Sequence, residues 1–220
     1  EDPRNPKHRL PADDYMKAGL VAKTALQAAE SKRFFHWELE FPEVFFAPST
    51  PGGQDVKLRD DGGFDAVVGN PPYIRVQELD KAVSSMFEQA YQTASGSYDI
   101  YMLFVEAALK LANPIGMTGY ILPNKFFTAT YGQNLRSLLS SNRFVREIID
   151  FGDAQVFEGA TTYTTLLVLN RAGQDVILYR PISNPASIRL EAHGIAHSEN
   201  ILADNLTDAS WILVKPLVQQ

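Results

Sequence analysis

The residues best placed to do chemistry are Asn70-Pro71-Pro72-Tyr73, directly after the apolar run Phe64–Gly69. Proline fixes its own φ and restrains the residue before it to extended backbone. Asn70 and Pro71 are therefore both held extended. Neither proline has an N–H, so the bend presents acceptors, the Asn70 side-chain oxygen and backbone carbonyls, with few competing donors. Such a bend suits a planar –NH2 group. The exocyclic amine of adenine is a poor nucleophile because its lone pair is delocalised into the ring. Two acceptors that each take one N–H hydrogen favour a pyramidal nitrogen with a localised lone pair, which is electrostatic preorganisation for a transition state. Tyr73 adds a ring on which a flat base can stack, worth roughly 1–3 kcal/mol. As structure alone, the same residues would be a stiff Pro-Pro turn ending a strand.

Phe64–Gly69 reads as a buried strand with a functional loop at its carboxyl end, where open α/β sheets bind their ligands. Upstream, a helix is expected over residues 11–33, capped by Asp13 or Asp14, with Met16, Leu20, Val21, Ala25, Leu26 and Ala29 as its stripe. Residues 34–46 form an aromatic and acidic run of ambiguous period, and 47–63 read as loop, rich in Pro and Gly. Downstream, helices are expected over 81–92, from a Ser97 cap through Ala112, and over 131–139. The Ser97 helix should bury Ile100, Leu103, Phe104, Ala107, Ala108 and Leu111, and Asn113-Pro114-Ile115-Gly116 should stop it. Strands are expected over 118–122, 145–151, 162–170 and 176–180. This alternation indicates an α/β fold with a largely parallel sheet, and the two consecutive late strands suggest an antiparallel edge. Beyond Pro181 the pattern weakens. The division is read as 1–46, 47–183 and 184–220, the last as a linker or the start of a further region.

Composition bounds the alternatives. The chain has 220 residues, 45% hydrophobic and 21% charged, the make-up of a globular domain. No apolar run approaches the roughly 18 residues that span a bilayer, so no membrane partner is expected, and a cytoplasmic setting fits. There are no cysteines, which excludes disulfide scaffolds, Cys-ligated zinc and a thiolate nucleophile. The net charge of −6 is unusual for a stand-alone DNA binder, which is normally basic. Yet no acid occurs between Ala107 and Arg146, while Lys110, Lys125, Arg136, Arg143 and Arg146 do. A local basic face and an ordinary solvated surface both remain open. His193 and His197 have i, i+4 spacing but no glutamate follows His193, so no metal site is read there. The stretch 148–153 (IIDFGD) lacks the second glycine of a cofactor loop and is set aside. The chain opens on Glu1 in polar, proline-rich sequence, as a chain beginning mid-protein would.

Residues 64–73 (FDAVVGNPPY) resemble motif IV of the class I amino-methyltransferases, which transfer a methyl group from S-adenosylmethionine. Residues 97–112 (SYDIYMLFVEAALKLA) resemble motif V, and 119–127 (GYILPNKFF) resemble motif VI. Residues 145–170 resemble motifs VII and VIII of the DNA adenine-N6 group. Residues 34–46 are similar to a stretch just upstream of motif IV in long single-chain restriction–modification proteins and related phage-defence methylases. The resemblance implies the carboxyl-terminal part of a Rossmann-like class I methyltransferase sheet, mostly parallel with an antiparallel edge strand. It implies that Asn70 and the Pro71 carbonyl hold the target amine, with Pro72 stiffening the bend. Tyr73 and Phe157 would stack on opposite faces of an adenine flipped out of double-stranded DNA. The cofactor side is read at Asp65, Tyr98 and Asp99, and DNA-backbone contacts at Lys125, Arg136 and Arg143. Phe157 as a core aromatic, Tyr98 and Asp99 as cap and packing residues, and Lys125 as a solvated lysine stay open. Cytosine-C5 methyl transfer, which attacks through a thiolate, is excluded. A protein-glutamine methyltransferase and a non-catalytic scaffold or DNA-docking fragment remain as alternatives.

The family's glycine-rich cofactor turn, preceded by a strand, is not found in residues 1–63, and a target-recognition region is barely begun by Gln220. The fragment alone is therefore expected to be inactive, with the rest of the parent polypeptide as its partner. Phe64–Gly69 should then have an unpaired edge that invites another strand. Pairing into a dimer or cover by residues 11–46 would satisfy it.

Overall fold

The computed structural model describes residues 23, 35–53, 55–157, 163–182 and 198–213. The helix expected over 11–33, apart from helical Lys23, and the pair His193 and His197 lie outside them. The chain divides into two units, Glu1–Pro42 and Glu43–Gln220, so the first break falls just before the expected one after residue 46.

In the first unit, the ambiguous aromatic run contains one helical turn, α1 (Trp37–Glu40). The His36 carbonyl accepts from the Leu39 and Glu40 N–H groups, both at 3.0 Å. Trp37 stacks on Phe41 with ring centroids 6.0 Å apart, and Phe35 meets Trp37 edge-on at 4.8 Å. These ring contacts, of which Trp37–Phe41 is an i, i+4 pair, supply the turn's local cohesion.

The division between the units falls within α2 (Pro42–Phe45), after its first residue. The stretch expected to be loop holds a small hairpin, β1 (Phe46–Pro48) antiparallel to β2 (Val56–Leu58). Gly52, at φ +74, supplies the left-handed turn position between them. Six strands then form one sheet: β3 (Phe64–Gly69), β4 (Ala112–Pro123), β5 (Val145–Asp150), β6 (Thr164–Asn170), β7 (Val176–Pro181) and β8 (Glu199–Leu202), in the order β3-β4-β6-β5-β7-β8. β3, β4, β5 and β7 run one way. The sheet has the expected antiparallel edge, but it is formed by β8, from residues read as linker or the start of a further region, and not by the two late strands that suggested it. β6 also runs antiparallel, but inside the sheet between β4 and β5. The two late strands therefore do not pair with each other. The turn between them steps across the start of β5, where the Gln174 N–H donates to the Arg143 carbonyl at 2.8 Å.

Three helices complete the unit: α3 (Lys81–Ala90), α4 (Ile100–Leu111) and α5 (Gln133–Ser141). Asp99, not Ser97, occupies the N-cap of α4, and Ser97 Oγ accepts from Gln77 Nε2 instead. α4 is buried nearly all round through Tyr101, Met102, Val105, Ala108 and Leu109, whereas Phe104, expected inside, is 42% exposed. Glu106 is also buried in this helix. Its carboxylate accepts from Thr93 N at 3.0 Å, Thr93 Oγ1 at 2.8 Å and Gln92 N at 3.2 Å, and pairs with Lys110 at 2.7 Å.

Residues 199–213, expected as linker, belong to this sheet and core. β8 pairs with β7, and Ala203, Leu206 and Trp211 are buried. β3 is not the fully buried strand expected. It pairs only with β4 among the described residues, and Val68 is 79% exposed. Among the described residues no strand pairs with its other edge. No helix among the described residues is long and apolar enough to cross a membrane.

Candidate active site

β3 and β4 run parallel with Gly69 opposite Tyr120, so both end at one rim of the sheet, joined there by the carboxyl end of β5. The bend Asn70-Pro71-Pro72-Tyr73 leaves β3 at that rim. Pro71 is buried, while Asn70 and Pro72 are exposed. Tyr73, 36% exposed, donates its hydroxyl to the Ile121 carbonyl at 3.2 Å. Its ring meets Tyr101 edge-on, with centroids 6.2 Å apart at 81°. The bend is thus pinned at Pro71 and Tyr73, while Asn70 is exposed and, like Pro71 and Pro72, does not itself line the cavity next to it. The chain beyond is tied to the entry of α4, since the Ile100 N–H donates to Ile74 O at 2.8 Å and the Val76 N–H to Tyr98 O at 3.0 Å.

A cavity of about 1160 Å3 opens beside the bend, lined among others by Tyr73, Arg75, Asp99, Lys125, Tyr131, Asp150, Tyr163 and Trp211. Of the residues singled out from sequence, Tyr73, Asp99 and Lys125 meet here. Burial pushes the Asp99 carboxyl above its ordinary value, against the opposing pull of Arg75 and the Tyr131 hydroxyl. Burial likewise raises the Tyr73 phenol. Tyr101, fully buried behind them, is driven far up by burial first and by its neighbours Tyr131 and Asp99 next. Both phenols therefore stay protonated at neutral pH.

Sequence reasoning missed several members of the wall. Asn124, just past β4, donates through Nδ2 to Asp150 Oδ1 at 2.9 Å and to Gly152 O at 3.0 Å. Asp150 also accepts from Gly152 N at 3.1 Å and from the Tyr179 hydroxyl at 3.3 Å. This network joins the rims of β4, β5 and β7, and it uses the IIDFGD stretch set aside earlier. A strand-terminal Asp followed by Gly was the available signal.

Other expected residues are elsewhere. Asp65 lies at the opposite, amino end of β3 and accepts from Asn113 Nδ2 at 2.7 Å. Five residues of strand separate it from Asn70, roughly 16 Å. Tyr98 is 1% exposed, with an unpartnered hydroxyl, and packs in the core. Arg136 is 3% exposed and gives its guanidinium to three backbone carbonyls, Asp208 at 2.9 Å, Phe126 at 2.6 Å and Ala129 at 2.8 Å. It is a structural fastener, not a phosphate contact, because a buried cation is tolerated only when its donors are satisfied. Arg143 pairs with Asp175 at 2.6 Å and Asp204 at 2.7 Å, acids supplied by later parts of the chain. With Lys110 held by Glu106, the basic stretch 107–146 leaves only Lys125 and Arg146 outside these contacts. Phe157 is 40% exposed and does not line the cavity.

The described residues do not fit S-adenosylmethionine as its full binding site. Asp65 and Tyr98 are engaged elsewhere, which leaves Asp99 as the only expected cofactor residue on the cavity. Gly52, Gly53, Gly62 and Gly63 lie around the β1–β2 hairpin, not in a turn between a sheet strand and a helix.

A mostly parallel sheet with an antiparallel strand set inside it, and an Asn-Pro-Pro-Tyr bend on its rim, defines the carboxyl-terminal part of a class I methyltransferase-type domain. The model of the Eco57I restriction-modification methylases matches residues 7–157, and the chain belongs to that family. Over 157 residues it is 31% identical to RM.Eco57I, a type II restriction enzyme and methyltransferase of Escherichia coli, covering 70% of this chain and 16% of that protein. Over 120 residues it is 31% identical to the type II methyltransferase M.BstVI of Geobacillus stearothermophilus, covering 54% of this chain and 21% of that one. The chain thus spans only 16 to 21% of these relatives. The crystal structure of the type IIG restriction endonuclease BpuSI shares the fold, with TM-score 0.50 and 17% identity over 64% of this chain and 19% of that one.

Proposed function

We propose that this chain is the amine-gripping part of a DNA adenine-N6 methyltransferase within a longer restriction–modification protein, with S-adenosylmethionine as methyl donor. The observation that carries the reading is the exposed Asn70 amide on a bend pinned by Pro71 and Tyr73, beside a cavity able to admit a base. Asn70 and the Pro71 carbonyl take the two amine hydrogens and aim the nitrogen lone pair, while Tyr73 carries the base on its ring. The adenine leaves the duplex at a cost of a few kcal/mol. Other parts of the protein hold the cofactor. The open edge of β3 is completed by a further strand, from the same protein or from a second copy. The setting is the cytoplasm, where the DNA is.

The test is Asn70→Ala in the whole protein, with transfer of labelled methyl groups to unmethylated duplex DNA as the readout. Turnover is expected to fall by about 100-fold or more, the size seen when one preorganised polar partner of a transition state is removed, while cofactor affinity is retained. Undiminished turnover, or methyl groups on protein glutamine instead of DNA, would refute the reading.

A further inference from the structure

Residues 207–213 reach the cavity through Trp211, Ile212 and Leu213, and they are bound to one turn of the chain, residues 124–132. The buried Arg136 guanidinium bridges the two, donating to Asp208 O on one side and to Phe126 O and Ala129 O on the other. Gln133 Nε2 donates to Asp208 Oδ2 at 2.9 Å and Ser210 Oγ to Thr128 O at 3.1 Å. The Trp211 N–H donates to Phe127 O at 2.8 Å. The Trp211 ring stacks on Phe127 (5.8 Å, 29°) and meets Phe126 at 5.8 Å and 69°. Its indole N–H closes the segment on Thr207 O at 2.7 Å. Gly132 leaves the room this needs, since a Cβ there would collide with Phe126 O and stand 2.9 Å from Arg136 Nη1.

Two physical points follow. Burying a guanidinium costs desolvation energy, and Arg136 offsets it through Nε and Nη1 bonds to both partners, so shifting the segment relative to the turn would break hydrogen bonds of a buried charge. Moreover, the bonds that leave the segment end on residues 127–136, the turn that carries Asn124 and Lys125 and the helix directly after it, whereas in the reacting bend Tyr73 is held separately by Ile121 O. The cavity therefore has a reacting side and an independently fastened side.

We propose that Arg136 and Trp211 are positioning residues that hold the turn 124–132, with Lys125, and the aromatic wall of the cavity where the DNA substrate is received. They act on substrate binding and not on the methyl-transfer step. The inference rests on the function proposed above, and it makes Trp211 part of the substrate cavity although it lies outside the family match at 7–157.

The experiment uses the whole protein and unmethylated duplex DNA. For Trp211→Ala, KM for DNA is expected to rise about tenfold or more while kcat stays within about twofold, the signature of lost binding shared by ground and transition states. In hydrogen–deuterium exchange, peptides covering 124–132 lose protection. Trp211→Phe, which keeps a ring against Phe127, restores both readouts. If Trp211→Ala does not fold, Trp211→Leu carries the same expectation, since it keeps apolar volume without the stack or the indole N–H. An unchanged KM, a fall confined to kcat, or full protection of the turn in the variant would each overturn the assignment. A wild type that methylates no DNA would instead overturn the functional reading, and the exchange measurement would still decide whether Trp211 holds the turn.

Discussion

Replacing Tyr73 separates the face of its ring from its hydroxyl. Tyr73→Ala removes a ring that is 36% exposed beside the cavity and leaves Asn70 and both prolines in place. Stacking of one base on an aromatic side chain is worth roughly 1–3 kcal/mol. At about 1.36 kcal/mol per tenfold, that is a loss of roughly 5- to 150-fold in kcat/KM for DNA. The alanine variant also gives up the edge contact with Tyr101, about 0.5–1.5 kcal/mol of stability, which a melting temperature reads separately. Tyr73→Phe loses only the bond to Ile121 O, which at 3.2 Å on a partly exposed group belongs at the low end of hydrogen-bond contributions, about 0.5 kcal/mol or a twofold effect. Because burial raises the phenol's pKa, the hydroxyl stays neutral through the assay range, so the ratio of Phe variant to wild type should not vary between neutral and mildly alkaline pH. The assay is initial-rate transfer of tritiated methyl groups to unmethylated duplex DNA. The reasoning fails if Tyr73→Ala keeps kcat/KM within twofold of wild type. It fails equally if Tyr73→Phe is as impaired as Tyr73→Ala, for then the hydroxyl and not the ring face carries the effect.

Further outcomes follow from the charged groups. Glu106 is desolvated by burial, which alone would raise its pKa, but Lys110 and the Thr93 and Gln92 donors outweigh this and hold it below the ordinary 4.5. A lowered carboxylate stabilises the fold above its unfolded value, and the contribution is lost as pH falls through the folded one. Glu106→Gln should therefore lower stability by about 2–4 kcal/mol at neutral pH, the scale of a buried charge-assisted network losing its charge. The gap to wild type should narrow on acidification below 4.5, followed by denaturant melts across pH; a gap that widens there contradicts the assignment. Lys125→Ala should weaken DNA binding by the whole protein and reduce the slope of log K against log salt by about 0.9, one phosphate contact. Arg143→Ala should leave that slope unchanged and alter stability by no more than about 1 kcal/mol, as expected of exposed ion pairs. A slope change on removing Arg143 instead of Lys125 would reverse the two roles.

Much of the fold could be read along the chain because it depends on neighbours in sequence. The Asn70-Pro71-Pro72-Tyr73 bend is set by proline's own ring, and a strand ended by such a bend on the rim of an α/β sheet is local chemistry plus a general rule of sheet construction. Alternating strands and helices came through for the same reason, with ends off by a few residues, as at the Asp99 cap of α4. The antiparallel edge was legible too, but β6 lying between β4 and β5 was not, because strand order depends on partners far apart in sequence.

The roles of the cations show where reading along the chain stops. Lys110, Lys125, Arg136 and Arg143 look alike in a stretch without acids. Glu106 meets Lys110 within one helix, at i, i+4, but only the tertiary fold brings Asp175 and Asp204 to Arg143 and three carbonyls to Arg136, leaving Lys125 on the cavity. Charge type is a property of the residue, but whether that charge is free for a substrate depends on what packs against it. Residues 199–213 make the same point: polar and mixed in sequence, they gain an eighth strand and a buried Trp211 only because β7 and Phe127 are there to receive them.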